Sequence, residues 1–293
     1  MSTDLPQRIA ILGPGLLGGS LLLALRDRVP DAHLRAWGRD AGKMAKLADL
    51  KHKGASVADV ASANLCAAVS DAQLVVLCTP VGTMPDLARQ LVTLPVASGC
   101  IVTDVGSVKA SIVASLEQIF ARTPLQFIGS HPMAGSELAG LEHAAPELFE
   151  GTTCLLTPTL LTESSALRTA RTLWKHLGCV LVEMSPEEHD RKVARISHLP
   201  RLAASVVTLA ALHDDPSAAN CMGNGFRDTA IRVASGEPEL WTGIVSANRS
   251  EVLAAVRDAR DRFGEVVTML ENGDDKALQR FLTEAKSLRD KLL

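Results

Sequence analysis

The chain has 293 residues, 47% of them hydrophobic, and a formal net charge of −3. That size and apolar content allow one large or two ordinary domains with a sizeable core. The charge gives no electrostatic case for nucleic acid or an anionic membrane, and no apolar run is long enough to span a bilayer.

The start, Met1-Ser2-Thr3-Asp4, lacks the basic and apolar regions of a signal peptide. Six cysteines are scattered without C-x-x-C spacing. A reduced, cytoplasmic protein with neither a disulfide framework nor a metal site is expected.

The first element is an apolar run, Ile9 to Leu12, that breaks into Gly13-Pro14-Gly15-Leu16-Leu17-Gly18-Gly19-Ser20 and then a leucine-rich stretch. The order is strand, tight turn, helix. Gly13, Gly15 and Gly18 fit G-x-G-x-x-G, the fingerprint of a dinucleotide-binding βαβ unit. The N–H groups around Leu16 and Leu17 open the helix, where a pyrophosphate would sit. The expected cofactor is NAD+ or NADP+.

Ala32 to Trp37 is the second strand. It ends Trp37-Gly38-Arg39-Asp40 instead of in the acid that usually holds an NAD ribose. Arg39 suits a 2′-phosphate and Asp40 stands a little too far on, a lean toward NADP+ or dual use. Leu74 to Cys78 is a continuous apolar run, as in a strand buried on both faces. Thr79 and Pro80 end it in a loop over the cofactor. Ile101 to Asp104 and Gln126 to Gly129 are further strands, followed by loops carrying Ser107 and His131. Ligands bind at the carboxyl ends of such strands, so these loops share one edge. Thr153 to Thr157 and Val180 to Met184 add two strands around a helix at Glu163 to Leu177.

From Pro186 no β-like run remains. Ser197 to Leu212, Glu251 to Glu271 and Asp275 to Leu292 have helical spacing. The fold class is α/β: a Rossmann-like, mostly parallel sheet over residues 1–185, followed by an all-helical part over residues 186–293. Leu253, Val256, Phe263, Val266, Val267 and Leu270 recur at i, i+3, i+7, which buries one helix face.

His131 directly follows a strand and precedes a proline, so its backbone is extended. Imidazole titrates near neutrality and suits a general base. Ser107, on the neighbouring loop, is placed to orient it or to cap a helix.

The chain resembles the prephenate/arogenate dehydrogenase family of tyrosine biosynthesis over nearly its whole length. The resemblance rests on the Gly13–Ser20 turn, Cys78-Thr79-Pro80, Thr103-Asp104-Val105-Gly106-Ser107-Val108-Lys109 and Gly129-Ser130-His131-Pro132-Met133-Ala134-Gly135. Glu188-His189-Asp190, Ser197-His198-Leu199-Pro200 and Gly225-Phe226-Arg227-Asp228 complete it. It implies oxidative decarboxylation of prephenate or arogenate by NAD(P)+, without a metal. It also implies His131 as catalytic base, Ser107 as its orienter and His198 beside the substrate side chain.

A substrate carboxylate calls for an arginine fork. Arg232 is the candidate, one residue beyond the family's expected register, with Arg227 as the alternative. Arg201, where many members carry histidine, would add positive charge to the pocket. Glu137 would pair with an arginine at the site or be solvated. The resemblance implies a homodimer through the helical part. Rival readings are another two-domain dehydrogenase, such as a β-hydroxyacid dehydrogenase or imine reductase, and a nucleotide-binding sensor without catalysis.

Overall fold

The computed structural model describes residues 5–135, 138 and 140–292. The first strands and helices follow the expected order: β1 (Arg8–Leu12), α1 (Leu16–Arg28), β2 (His33–Trp37) and α2 (Ala41–Asp49). A small hairpin follows, β3 (Lys51–His52) and β4 (Ala55–Ser56), then β5 (Val60–Ser62) and α3 (Leu65–Val69). Next come β6 (Leu74–Leu77), α4 (Met84–Leu91), β7 (Ile101–Asp104), α5 (Ala110–Phe120) and β8 (Gln126–Pro132). β9 (Thr153–Thr157), α6 (Ser164–His176) and β10 (Val180–Glu183) complete the sheet region.

The main sheet has eight strands in the order β10-β9-β8-β7-β6-β1-β2-β5. Every pairing in it is parallel except β8 with β9. The chain runs outward in one direction from β1 and in the other from β6, so the switch point lies between those two strands.

Both faces of the sheet are covered. Ile9, Ile11, Leu74 and Val76 join the core under α1, α2 and α6. Their neighbours Ala10, Leu12, Val75 and Leu77 join a second core under α3, α4 and α5. This two-sided burial is why these strands read as unbroken apolar runs.

β8 differs from its sequence-based bounds. It continues through Pro132, so His131 lies within a strand instead of after one. Its first half pairs with β7 as far as Ile128, and its second half, Gly129 to Pro132, pairs with β9. Pro132 therefore has no β7 neighbour to which its missing N–H would matter. The hairpin turn uses positive φ at Lys53 and Gly54, as a two-residue hairpin requires.

Beyond the sheet, α7 (Pro186–Val193) runs through a π-turn, Ala194–His198, into α8 (Leu199–Leu212). The short α9 (Asn224–Phe226) opens into a second π-turn, Arg227–Ile231, followed by α10 (Pro238–Ala247). Compactness divides the chain into residues 1–248 and 249–293. The second unit is a helical hairpin, α11 (Arg249–Glu271) and α12 (Asp275–Asp290). Gly273, at φ +60°, makes its turn, and the Asp274 carboxylate caps α12 by accepting from Ala277 N at 2.9 Å. Leu253, Val256, Phe263, Val267 and Leu270 are exposed, and Val266 is half-buried.

Candidate active site

The glycine turn makes a cradle at the switch point. Gly13 has φ +99°, and a Cβ there would lie 2.9 Å from both Cys78 O and Thr79 Cγ2. A Cβ on Gly18 would meet Gly13 O at 2.4 Å, so this glycine lets the helix close onto the strand end. Gly15 is different: a Cβ there meets nothing within 4 Å. Packing among the described residues does not require a glycine at position 15, and its bare backbone leaves room for the close approach of a ligand.

Gly15 is also the N-cap of α1 and offers no side-chain hydrogen bond, so the helix N-terminus stays available to an anion. Across the switch point Thr83 Oγ1 donates to Pro80 O at 2.8 Å and lies 3.0 Å from Thr79 Oγ1, which fixes the Thr79–Pro80 loop. Gly13, Gly15, Leu16, Leu17 and Gly18 could hold the pyrophosphate of a dinucleotide, and Thr79 and Pro80 could line the same site.

At the end of β2, Arg39 is exposed and has no ion pair among the described residues. The Asp40 carboxylate is engaged as the N-cap of α2, accepting from Lys43 N at 2.9 Å.

A buried polar network starts at Asp190 on α7. One carboxylate oxygen accepts from Lys109 N at 2.7 Å and the other from Ala110 N at 2.9 Å, which anchors α7 to the start of α5. The first oxygen also lies 2.8 Å from His189 Nδ1. A carboxylate accepts, so Nδ1 carries the proton and His189 Nε2 keeps a lone pair. His131 Nδ1 lies 2.9 Å from that Nε2 and therefore donates to it. The remaining nitrogen, His131 Nε2, is then left unprotonated. Three side chains thus present one basic lone pair at the carboxyl edge of the sheet.

Beneath it, Lys109 and Asp104 form an ion pair with both side chains fully buried. Asp104 also accepts from Gly106 N at 2.8 Å and Ser130 N at 3.1 Å. This ties the β7 loop to β8 where the backbone ladder between them ends. Burial holds His131 well below the usual imidazole value, and the charges of His189 and Lys109 act the same way. Burial also lowers His189, although Asp190 opposes it. Both rings are neutral at pH 7.

His189 and Asp190 belong to the motifs quoted above but received no role from sequence. Their adjacency in the chain hid it, because the partner of His189 is 58 residues away in β8. Ser107 is half-buried in the β7–α5 loop, and no hydrogen bond among the described residues joins it to His131. The orienting contact seen is to His189, and α5 has no side-chain cap.

His198 ends the first π-turn and is fully buried. Its Nδ1 lies 3.4 Å from Asn248 Nδ2, and its Nε2 is buried without a hydrogen-bond partner among the described residues. Burial lowers its pKa to about 4. Arg201, one turn on, does not contribute a free charge to the pocket. Its guanidinium donates to the carbonyls of Val233 (2.7 Å), Ser235 and Gly236 (3.3 Å) and lies 5.1 Å over the Trp241 ring. It clamps the segment just after Arg232.

Arg227 and Arg232 are both exposed and bracket the second π-turn, closed by Arg232 N donating to Arg227 O at 2.9 Å. A π-turn holds one residue more than an α-turn. This wide turn spans the stretch before Arg232 in which the family resemblance implies one residue fewer. Glu137 lies outside the described residues.

A Rossmann sheet, a glycine cradle at its switch point and a neutral histidine at the same edge define a dinucleotide-dependent oxidoreductase. Residues 23–183 match the prephenate dehydrogenase nucleotide-binding domain, and residues 185–284 match the prephenate dehydrogenase dimerization domain. The chain belongs to the prephenate dehydrogenase family. It is 32% identical to a prephenate dehydrogenase of Bacillus subtilis over 99% of this chain and 77% of the relative.

Among solved structures, prephenate dehydrogenase from Aquifex aeolicus in complex with hydroxyphenyl propionate and NAD+ aligns with a TM-score of 0.89 and 28% identity, covering 100% of both chains. Synechocystis arogenate dehydrogenase aligns with a TM-score of 0.79 and 30% identity, covering 98% of this chain and 100% of that one.

Proposed function

We propose that this protein oxidatively decarboxylates prephenate to 4-hydroxyphenylpyruvate with NAD(P)+, with arogenate as the alternative substrate. The observation that carries the reading is the unprotonated Nε2 of His131, held by His189 and Asp190 beside the nucleotide cradle.

His131 Nε2 takes the proton of the substrate's ring hydroxyl as the carbinol C–H bond gives up its hydride. The bond between ring and carboxylate breaks, its electron pair enters the ring, and CO2 leaves. The ring oxygen recovers the proton as a phenol. The bound nicotinamide supplies the hydride acceptor. His189 keeps the His131 lone pair aimed outward, and Asp190 keeps His189 in the tautomer that allows it. Ser107, at the same edge, would position cofactor or ring. His198 would face the substrate side chain, and Arg232, or else Arg227, would hold a carboxylate. Arg39 would meet a 2′-phosphate, which favours NADP+ or dual use.

The same reading includes a cytoplasmic homodimer, supported by six free thiols and by the exposed apolar residues of α11. The deciding assay follows reduced-nicotinamide absorbance with prephenate and arogenate, each against NAD+ and NADP+. Turnover of prephenate supports the proposal. Turnover of arogenate alone replaces it with the alternative. Silence in all four, from folded protein that binds nucleotide, rejects both.

A further inference from the structure

His131 and His198 are both set through Asp190, but in opposite senses. The carboxylate of Asp190 fixes His189, and through it His131. The backbone carbonyl of Asp190 accepts from Asn248 Nδ2 at 2.9 Å. A carbonyl only accepts, so this contact decides which end of the Asn248 amide is nitrogen. The same nitrogen lies 3.4 Å from His198 Nδ1. Nδ1 must then accept, because a proton there would face the amide N–H. The proton of neutral His198 therefore sits on Nε2, the buried atom that has no partner among the described residues. An N–H buried without an acceptor is costly, and a ligand that brings an acceptor removes the cost.

We propose that Asn248 sets the tautomer of His198, and that the resulting Nε2–H donor selects a keto-acid side chain over an amino-acid side chain. This rests on the proposed function, in which His198 faces the substrate side chain. Prephenate and arogenate differ there in one group: a ketone oxygen accepts from the donor, whereas an ammonium is itself a donor and is turned away. The flanking Trp241 ring stands edge-on with its centroid 6.4 Å from that of His198, and the Arg201 guanidinium already lies 5.1 Å over that ring, so an ammonium brought to it would meet a like charge.

The test joins a spectroscopic and a kinetic measurement on the full chain. Nitrogen-15 NMR of the histidine rings at pH 7 is expected to show His198 protonated at Nε2 and bare at Nδ1. The reverse pattern overturns the inference whatever the activity. The ratio of kcat/KM for prephenate to that for arogenate is then compared among the parent, Asn248→Leu and Asn248→Asp. Leucine removes the donor while keeping the shape. Aspartate accepts from Nδ1–H and turns the lone pair of Nε2 outward. The expected order is parent, then leucine, then aspartate, with a fall of roughly tenfold or more overall, the scale of one hydrogen bond lost or reversed. If the aspartate variant does not fold, the leucine variant must still lower the ratio. Prephenate turnover with an unchanged ratio overturns the tautomer inference alone. Silence of the parent with both substrates overturns the proposed function with it.

Discussion

Asp190 accepts a hydrogen bond from His189 Nδ1 at 2.8 Å, and the protonation pattern of the site follows from that contact. The carboxylate is itself held by two backbone N–H groups at the start of α5, so it cannot swing away from its histidine. Replacing His131 with asparagine should lower kcat by roughly 10²–10⁴-fold if its lone pair is the base. His189→Leu should give a smaller loss in kcat, leave the KM for prephenate nearly unchanged and move the acid limb of the pH profile. A matching rise in KM, with an unmoved profile, would assign His189 a purely structural role.

The buried histidines make stability depend on pH in a predictable direction. His131, His189 and His198 all have folded-state values below the usual imidazole value, His198 at about 4. The unfolded chain, titrating near pH 6.5, then binds more protons than the folded one in the window between. Stability should therefore fall as the pH drops from 6.5 toward 4, by at most about 1.4 kcal/mol per pH unit for each histidine that is still neutral in the folded protein. Urea midpoints at pH 7, 6 and 5 test this. The decline should be shallower in His198→Leu, compared with its own value at pH 7.

Gly15 and Gly18 should fail in different ways. Alanine at Gly18 drives a methyl to 2.4 Å from Gly13 O, a backbone atom that cannot turn aside. It should cost about 1–3 kcal/mol of stability, the usual penalty of overpacking. Alanine at Gly15 meets nothing in the protein, so thermal stability should hardly change while the KM for nucleotide rises sharply. Thermal melts with and without nucleotide separate the two effects. Unimpaired nucleotide binding by the Gly15 variant would remove that residue from the cofactor site.

Much of this was legible in the sequence because it is local. The glycine turn, the two-sided apolar strands and the helices of the C-terminal part are written in contiguous residues. The strand pairs missed, Lys51–His52 with Ala55–Ser56 and Val60–Ser62 on β2, are too short to show a period. The His131 relay could not be read, since it needs two segments brought together by the packing of α7 on the sheet. Arg201 was misread for a related reason: a cation near a site looks like a ligand until the carbonyls that engage it are seen. The π-turns leave no propensity signal of their own.

The proposed lean toward NADP+ can be tested at one exposed side chain. Arg39 follows β2 where an acid would exclude a phosphate, and Asp40 is engaged as a helix cap. Arg39→Ala should raise the KM for NADP+ by roughly tenfold or more, about one charged hydrogen bond, and leave that for NAD+ nearly unchanged. Equal effects on both cofactors would show that Arg39 does not read the 2′-phosphate.

The π-turn at Arg227–Ile231 makes a prediction about register. If it takes up the extra residue, Arg232 keeps the place of the carboxylate ligand, and Arg201 fixes that place by clamping the carbonyls of Val233, Ser235 and Gly236. Arg232→Gln should then raise the KM for prephenate roughly 10- to 100-fold, as expected for losing about 1.5–3 kcal/mol of charged hydrogen bonding. Arg227→Gln should do little. Deleting the exposed Thr229 should convert the wide turn to an ordinary helical one and leave the KM close to that of the parent, because Arg232 returns to the same face. The reverse result, with Arg227→Gln damaging and Arg232→Gln harmless, would place the fork at the start of the turn. It would also leave Arg201 clamping a segment that substrate does not touch.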